Sequence, residues 1–453
     1  MKKQKSFKNT LKNAALVVLT LLLAVLISLT WSTGLSRDDI PLDSPFARLY
    51  ALLPFADSGY VQRAGDTPAA YPSGIAMTAA DGLRGAFYNE AAEGGLYDMV
   101  RPLWAAALVE ARGFESAAVD DLRAALSGED TLLLSYNGSL PLSLLAGWMG
   151  ADGSRVAEYD VNALVLTRSG MLFVRDGSNG RLYRTQERMP VNEAVWEKTA
   201  EGVSAPLCAY AGTLEQSDYG SLLPETLVPS APAAYDILQT RIPAFGDPSS
   251  GDSLQTLLGA FGYDPYVQSY TENDGTTQVF VENFSSLRVS REGVVNFKAN
   301  SLNGALPVYQ EGEAGRAEAI AAQIDYAHEV LSAALGAIGS VIPAELQSIQ
   351  YDSEAGICNL EFAQAAGGVM IRRQDAPLAR FTFQGGVLVA AELSLRDYTP
   401  TGEKLFVLPV RQAAAALRQD GRRQYLVAYT DVGSGRLTAA AYSRDWGSSG
   451  AVG

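Results

Sequence analysis

Residues able to do chemistry are scarce in this chain. His328 is the only histidine among 453 residues, and it sits in a helical pattern, AEAIAAQIDYAHEVLSAAL. One imidazole cannot build a His-rich zinc site, and a Ser-His-Asp triad would need it to face a nucleophile that no motif identifies. Cys208 and Cys358 are the only cysteines and lie far apart, so no disulfide framework or CxxC metal site is legible. Both are expected as buried thiols. Asp38-Asp39 and Asp120-Asp121 are sequence neighbours, which points their carboxylates apart on a helix and away from shared acid–base work. Gly433-Ser434-Gly435 falls between predicted strands and lacks the strand-to-helix elbow that exposes a nucleophilic serine, so it is expected to be a turn. There is no EF-hand loop or Walker-A sequence. The expectation is a protein that is not an enzyme and uses no cofactor and no metal.

Side chains suited to binding are easier to find. Tyr263, Tyr266, Tyr270, Phe280 and Phe284 gather in one stretch, and aromatic side chains, tyrosine with its polar tip above all, offer large contact area. They form a candidate recognition face. Alternatively, every second one simply fills the inner face of a sheet.

The elements around these aromatics follow from turn chemistry. YVQSYTENDGTTQVFVEN is expected as two strands joined at Asp274-Gly275, and SSLRVSREGVVNFKAN as a further pair joined at Glu292-Gly293. A short helix, DSLQTLLGAFG, precedes this meander and ends on Gly262. A long helical pattern from about Gly315 to Leu335 follows it, then the strands LQSIQYD, GICNLEFAQ, GGVMIRRQ, ARFTFQGG and VLVAAELSLRDY, the helix PVRQAAAALRQ and a closing strand pair, RQYLVAYTDVGSGRLTAAAYS. Upstream, a strand pair is expected around Asp81-Gly82, helices in LYDMVRPLWAAALVEARGF and VDDLRAALSG, and strands in NALVLTRSGMLFVRDGSNGRLYRTQ. PSAPAAYD, Pro229 to Asp236, reads as the best linker.

Hydrophobic residues make up 47% and charged ones 19%, a globular composition, and the length suggests two or three domains. The net charge is -15 although Lys2, Lys3, Lys5, Lys8 and Lys12 crowd the N-terminus. A surface that acidic repels phosphate backbones, so no nucleic-acid partner is expected. From Ala14 to Trp31 the chain reads AALVVLTLLLAVLISLTW, without charge, Gly or Pro, enough for about 27 Å of a roughly 30 Å hydrocarbon core. Lysines before it and Asp38-Asp39 after it place the N-terminus in the cytoplasm and the bulk outside the membrane. A cleaved signal peptide is the rival, since Ser32-Thr33-Gly34 offers small residues, but the run is long for an h-region and A-x-A is missing. Thr20, Ala24 and Ser28 line small side chains along one helix face, a candidate seam for a partner helix, with Trp31 at the outer interface. Chance small residues facing lipid would look the same.

The expected architecture is therefore α+β: a single transmembrane helix followed by an extracytoplasmic multidomain region of antiparallel sheets with packed helices. The divisions are a basic tail (1–12), the membrane helix (13–33), a stalk (34–60), an N-terminal α+β domain (61–228), a central helix plus meander (229–305) and a C-terminal α+β domain (306–446).

Four stretches carry a family resemblance. LKNAALVVLTLLLAVLISLTW, FGYDPYVQSYTENDGTTQVFVENFSSLRVSREGVVNF, RFTFQGGVLVAAELSLRDY and QYLVAYTDVGSGRLTAAAY together resemble the YycH family, single-pass regulators of the essential cell-wall two-component system of low-GC Gram-positive bacteria. The last two resemble the part that family shares with the companion YycI proteins. The likeness is strongest from about Leu254 to Ala299 and continues from about Ala314. It implies a membrane-anchored, non-catalytic protein whose partners are a sensor histidine kinase and a YycI-like companion. A second function class, an extracytoplasmic binding module for a peptide or cell-wall fragment, is supported by the aromatic meander and the acidic exterior.

Overall fold

A computed structural model describes residues 68–445, apart from 89–94, 152–155, 157–158, 246–250, 302–304, 309–315, 417–422 and several single or paired positions. The basic tail, apolar segment and stalk expected over 1–60 lie outside the described residues. Among the described residues no helix is long and apolar enough to cross a membrane.

The N-terminal part is built on one antiparallel sheet. β1 (Gly74–Ala79) and β2 (Gly82–Phe87) make the expected hairpin, with Gly82 at φ 127 closing a turn that a larger residue would strain. α1 (Gly95–Glu110) buries Leu96, Val100, Leu103, Trp104, Ala107 and Leu108, the spacing of three and four that a helix turns to one side. After β3 (Phe114–Ser116), α2 (Val119–Gly128) is capped by the Asp121 carboxylate, which accepts the Ala118 N–H at 3.2 Å. β4 (Thr131–Pro141) and α3 (Leu142–Met149) were not legible in the sequence, because the apolar run shared by these elements matches neither a period of two nor one of 3.6 cleanly. β5 (Asp160–Thr167), β6 (Leu172–Asp176) and β7 (Leu182–Thr185) turn at the two expected glycine sites, and α4 (Glu193–Gly202) is capped by Asn192 Oδ1 accepting the Val195 N–H at 3.2 Å. Hydrogen bonding orders the sheet β2-β1-β4-β5-β6-β7-β3.

β8 (Cys208–Tyr210), α5 (Gln216–Tyr219) and β9 (Leu227–Pro229) lead into β10 (Ala234–Arg241). The break expected as a linker over Pro229–Asp236 is thus a short bend between two strands, and its last residues belong to β10. Proline supplies no N–H to a ladder, but pairing resumes as soon as the prolines end.

The larger sheet contains the meander. α6 (Gly251–Ala260) precedes β11 (Ser269–Thr271), β12 (Thr277–Glu282), β13 (Ser285–Ser290), β14 (Val294–Ala299) and β15 (Leu306–Pro307). α7 (Arg316–Ala337) precedes β16 (Ala344–Asp352), β17 (Ile357–Ala366), β18 (Val369–Arg373), β19 (Ala379–Gln384) and β20 (Val387–Ser394). The order is β11-β12-β13-β14-β20-β19-β17-β16, antiparallel throughout. The cut expected at 305/306 falls inside this sheet, since β14 and β20 are hydrogen-bonded neighbours. Element order in the sequence does not reveal which edges meet. Both helices cover one face, where Phe261 stacks on Phe297 at 5.7 Å and Tyr326 meets Phe383 edge-on at 6.5 Å. One parallel bridge, Ser348 to Ser139, joins β16 to β4.

The chain closes with β21 (Asp397–Phe406), α8 (Val410–Ala416), β22 (Arg423–Asp431), β23 (Arg436–Leu437) and β24 (Ala439–Asp445). β21 and β23 flank β10, while β22 lies between β24 and β18, parallel to the latter.

Candidate recognition site

The five aromatics of the expected recognition face divide in two. Phe280 is buried opposite Leu287, on the side of the sheet that carries Phe297 and meets the helices. Tyr263 is buried as well, and its hydroxyl lies 2.7 Å from Ser285 Oγ. These two are core. Tyr266, Phe284 and Tyr270 are 90%, 72% and 56% exposed, and Val281, which sequence reasoning did not single out, joins them at 47%.

Strand alternation explains the division. Tyr270 pairs with Val279, one residue from Phe280, and so stands on the opposite face of the sheet. Tyr266 lies in the loop before β11, whose Asp264 carboxylate accepts the Tyr266 N–H at 2.8 Å while the Asp264 N–H donates to Glu282 Oε2 at 3.1 Å. That bond ties the Tyr266 loop to the end of β12, next to the turn that carries Phe284.

Phe284 occupies a position made for glycine. Phe284 lies in the turn that joins β12 to β13 and has φ 65. A bulky residue in the left-handed region costs on the order of 1–3 kcal/mol, and exposing its ring to water adds nothing to folding. The backbone is held there by the Asn300 N–H, which donates to the Phe284 carbonyl at 2.8 Å. Beside it β11, three exposed residues, pairs only with β12 among the described residues and there forms an edge of the sheet. Carboxylates border the corner: Asp264, Glu282 and Glu272, the last accepting from Arg288 at 3.0 Å. The arrangement can hold an apolar surface or an extended strand by contact; it contains no group poised for bond making.

The candidates for chemistry are spread through the fold. His328 packs on α7 with its ring centroid 6.5 Å from that of Phe362, and burial holds its imidazole below the ordinary value. Cys358 is buried; Cys208 is half-buried, and burial pushes its thiol up to about 12. Asp120 pairs with Arg123 at 2.9 Å, and Asp121 serves the α2 cap. Gly433 and Gly435, at φ 78 each, flank the expected turn between β22 and β23. Among the described residues no group of three or more His, Cys, Asp or Glu is placed to hold a metal ion. Asp38, Asp39, Thr20, Ala24, Ser28 and Trp31 lie outside the described residues.

One buried acid escaped sequence reading. Glu345 on β16 lies between Ala344 and Leu346, all three buried, and burial alone raises its carboxyl to about 8. Alternation places it on the face of β16 opposite to that of Ala344 and Leu346, in regular register with Ala363, and that face is covered as well.

No family model matches this chain, and no curated protein does either. Among solved structures the fold is similar to that of YycH from Bacillus subtilis, at 11% sequence identity and a TM-score of 0.48, over 83% of this chain and 97% of that chain.

Proposed function

We propose that this protein is a non-enzymatic, membrane-anchored regulator that binds other envelope proteins and so modulates a sensor histidine kinase, with a YycI-like companion as second partner. In this reading residues 13–33 span the membrane once, residues 1–12 are cytoplasmic and the folded part is extracytoplasmic. The observation that carries it is the meander. The stretch whose sequence most resembles the YycH family is also where Tyr266, Tyr270 and Phe284 stand exposed near β11, which among the described residues pairs only with β12. Exposed aromatics grouped in one segment mark protein contact more often than they serve folding. The Thr20, Ala24 and Ser28 face supplies the second contact, within the membrane, where close approach of small residues drives helix pairing.

The test is recovery of partners from native membranes in mild detergent. Three proteins are compared: the wild type, a form with an unrelated spanning helix, and the triple variant Tyr266→Ala, Tyr270→Ala, Phe284→Ala. A histidine kinase recovered by the wild type and reduced at least tenfold by either change is the expected outcome. Equal recovery by all three would remove both contacts, and absence of any kinase would sink the regulator itself.

A further inference from the structure

Strand β5 breaks its ladder at one residue. Val161 pairs with Asp176 and Ala163 with Arg175 on β6, so Asn162 is an extra residue between them. On the other side β4 pairs Ser135 with Ala163 and resumes only at Leu140 with Val161. A bulge of this kind re-aims a side chain. Asn162 is 0% exposed, and its Nδ2 donates to Gln424 Oε1 at 3.2 Å, a contact between residues 262 apart in sequence. Its Oδ1 has no hydrogen-bond partner. A buried acceptor left so is destabilising and calls for an explanation.

Asn162 and Gln424 line a cavity of about 280 Å³. Tyr88, Tyr219, Tyr235 and Tyr425 stand in its walls. The rings of Tyr88 and Tyr235 meet edge to face at 6.0 Å, and the Tyr88 hydroxyl accepts the Val427 N–H at 3.0 Å, which fixes that ring in place. Tyr88 also holds φ 53, a strained conformation for a bulky residue. Both charged side chains on the lining are paired. Glu225 receives two hydrogen bonds from the buried Arg175 guanidinium, and Arg411 reaches Asp218 at 2.8 Å. Aromatic walls therefore adjoin a buried carbonyl acceptor without a partner, and neither charge on the lining is uncompensated. Its size, near the lower end of roughly 300–1,000 Å³ for ligand pockets, suits a molecule of one or two rings.

We propose that this cavity binds a small neutral aromatic molecule of the indole or phenol class, its ring held among the tyrosines and its N–H or O–H donated to Asn162 Oδ1. The site is independent of the aromatic corner of the meander. Titration calorimetry of the detergent-solubilised full chain tests it, with indole and N-methylindole as probes and detergent alone as blank. N-methylindole keeps the ring and loses the donor. Leu408→Trp serves as the occluding variant, because Leu408 lines the mouth and is 47% exposed, so a larger ring is accommodated without disturbing the core. Expected are saturable binding of one indole per chain, at least tenfold weaker binding of N-methylindole, and loss of indole binding in Leu408→Trp. Indole and N-methylindole binding alike overturns the assignment without any variant having to fold, and so does unchanged binding by Leu408→Trp or no saturable heat at all.

Discussion

The two ends of the larger sheet share an inner face and differ in what they show to water. Toward β16 and β17 the outward positions carry charges in a ladder: Arg380 reaches Glu361 at 2.7 Å and Glu392 at 3.9 Å. Toward β11 and β12 the outward positions carry Tyr270 and Val281, with Phe284 and Tyr266 at the adjacent turn and loop. Inside, the two ends are alike, with Phe381 and Phe383 at one and Phe280 and Phe297 at the other. Alternation fills the inner face in both places, and on the outer face at the meander end Tyr270 pairs with the fully buried Val279 while Val281 stays exposed. Exposed ion pairs are worth roughly 0–1 kcal/mol and keep a surface soluble. Exposed aromatics do neither, and this contrast is what the proposed contact surface at the meander end rests on.

The largest effect expected from this contrast separates inner from outer positions. Phe381→Ala should lower stability by about 3–5 kcal/mol, because it removes a fully buried ring and leaves a cavity. Tyr266→Ala should stay within about 0.5 kcal/mol. Denaturant titration of both decides the matter, and a large loss from Tyr266→Ala would mean that the corner belongs to the core.

A smaller effect lies at the β16 end and depends on pH. The folded protein keeps the Glu345 proton up to about pH 8, whereas the unfolded chain releases it near about 4.3. Folding therefore takes up a proton between these values, and stability falls as pH rises through that window, then levels off. Glu345→Gln should remove this slope and make the variant more stable than the wild type above about pH 8, on the order of a few kcal/mol. Parallel denaturation midpoints of both proteins at low and high pH would show it. Midpoints of wild type and variant that change with pH in parallel would refute the buried acid as its source.

The smallest effect sharpens the contrast most. Phe284→Gly relieves the positive φ and removes an exposed ring, so it should stabilise the fold by about 1 kcal/mol while reducing partner recovery. A gain in stability with binding untouched would make the strained ring an accident of the turn.

Much of this molecule was written locally. Gly275 and Glu292-Gly293 locate the meander turns, Ser169-Gly170 and Ser178-Asn179-Gly180 those around β6, and the apolar spacing of α1, α2 and α7 marks their buried sides. These signals survive because backbone dihedral preference and side-chain period act over a few residues. They also gathered the candidate recognition residues into one segment. What the tertiary structure alone decided is every property that joins distant residues: the pairing of β14 with β20, the parallel approach of β22 to β18, the burial of Glu345, and the placing of Asn162 against Gln424. β21 escaped the sequence for the same reason, since its Thr-Pro-Thr-Gly run has the composition of a turn and becomes a strand only because β10 offers it an edge. Local rules could place five aromatics in one stretch, but which of them face water depends on strand register and on the helices packed against one side of the sheet.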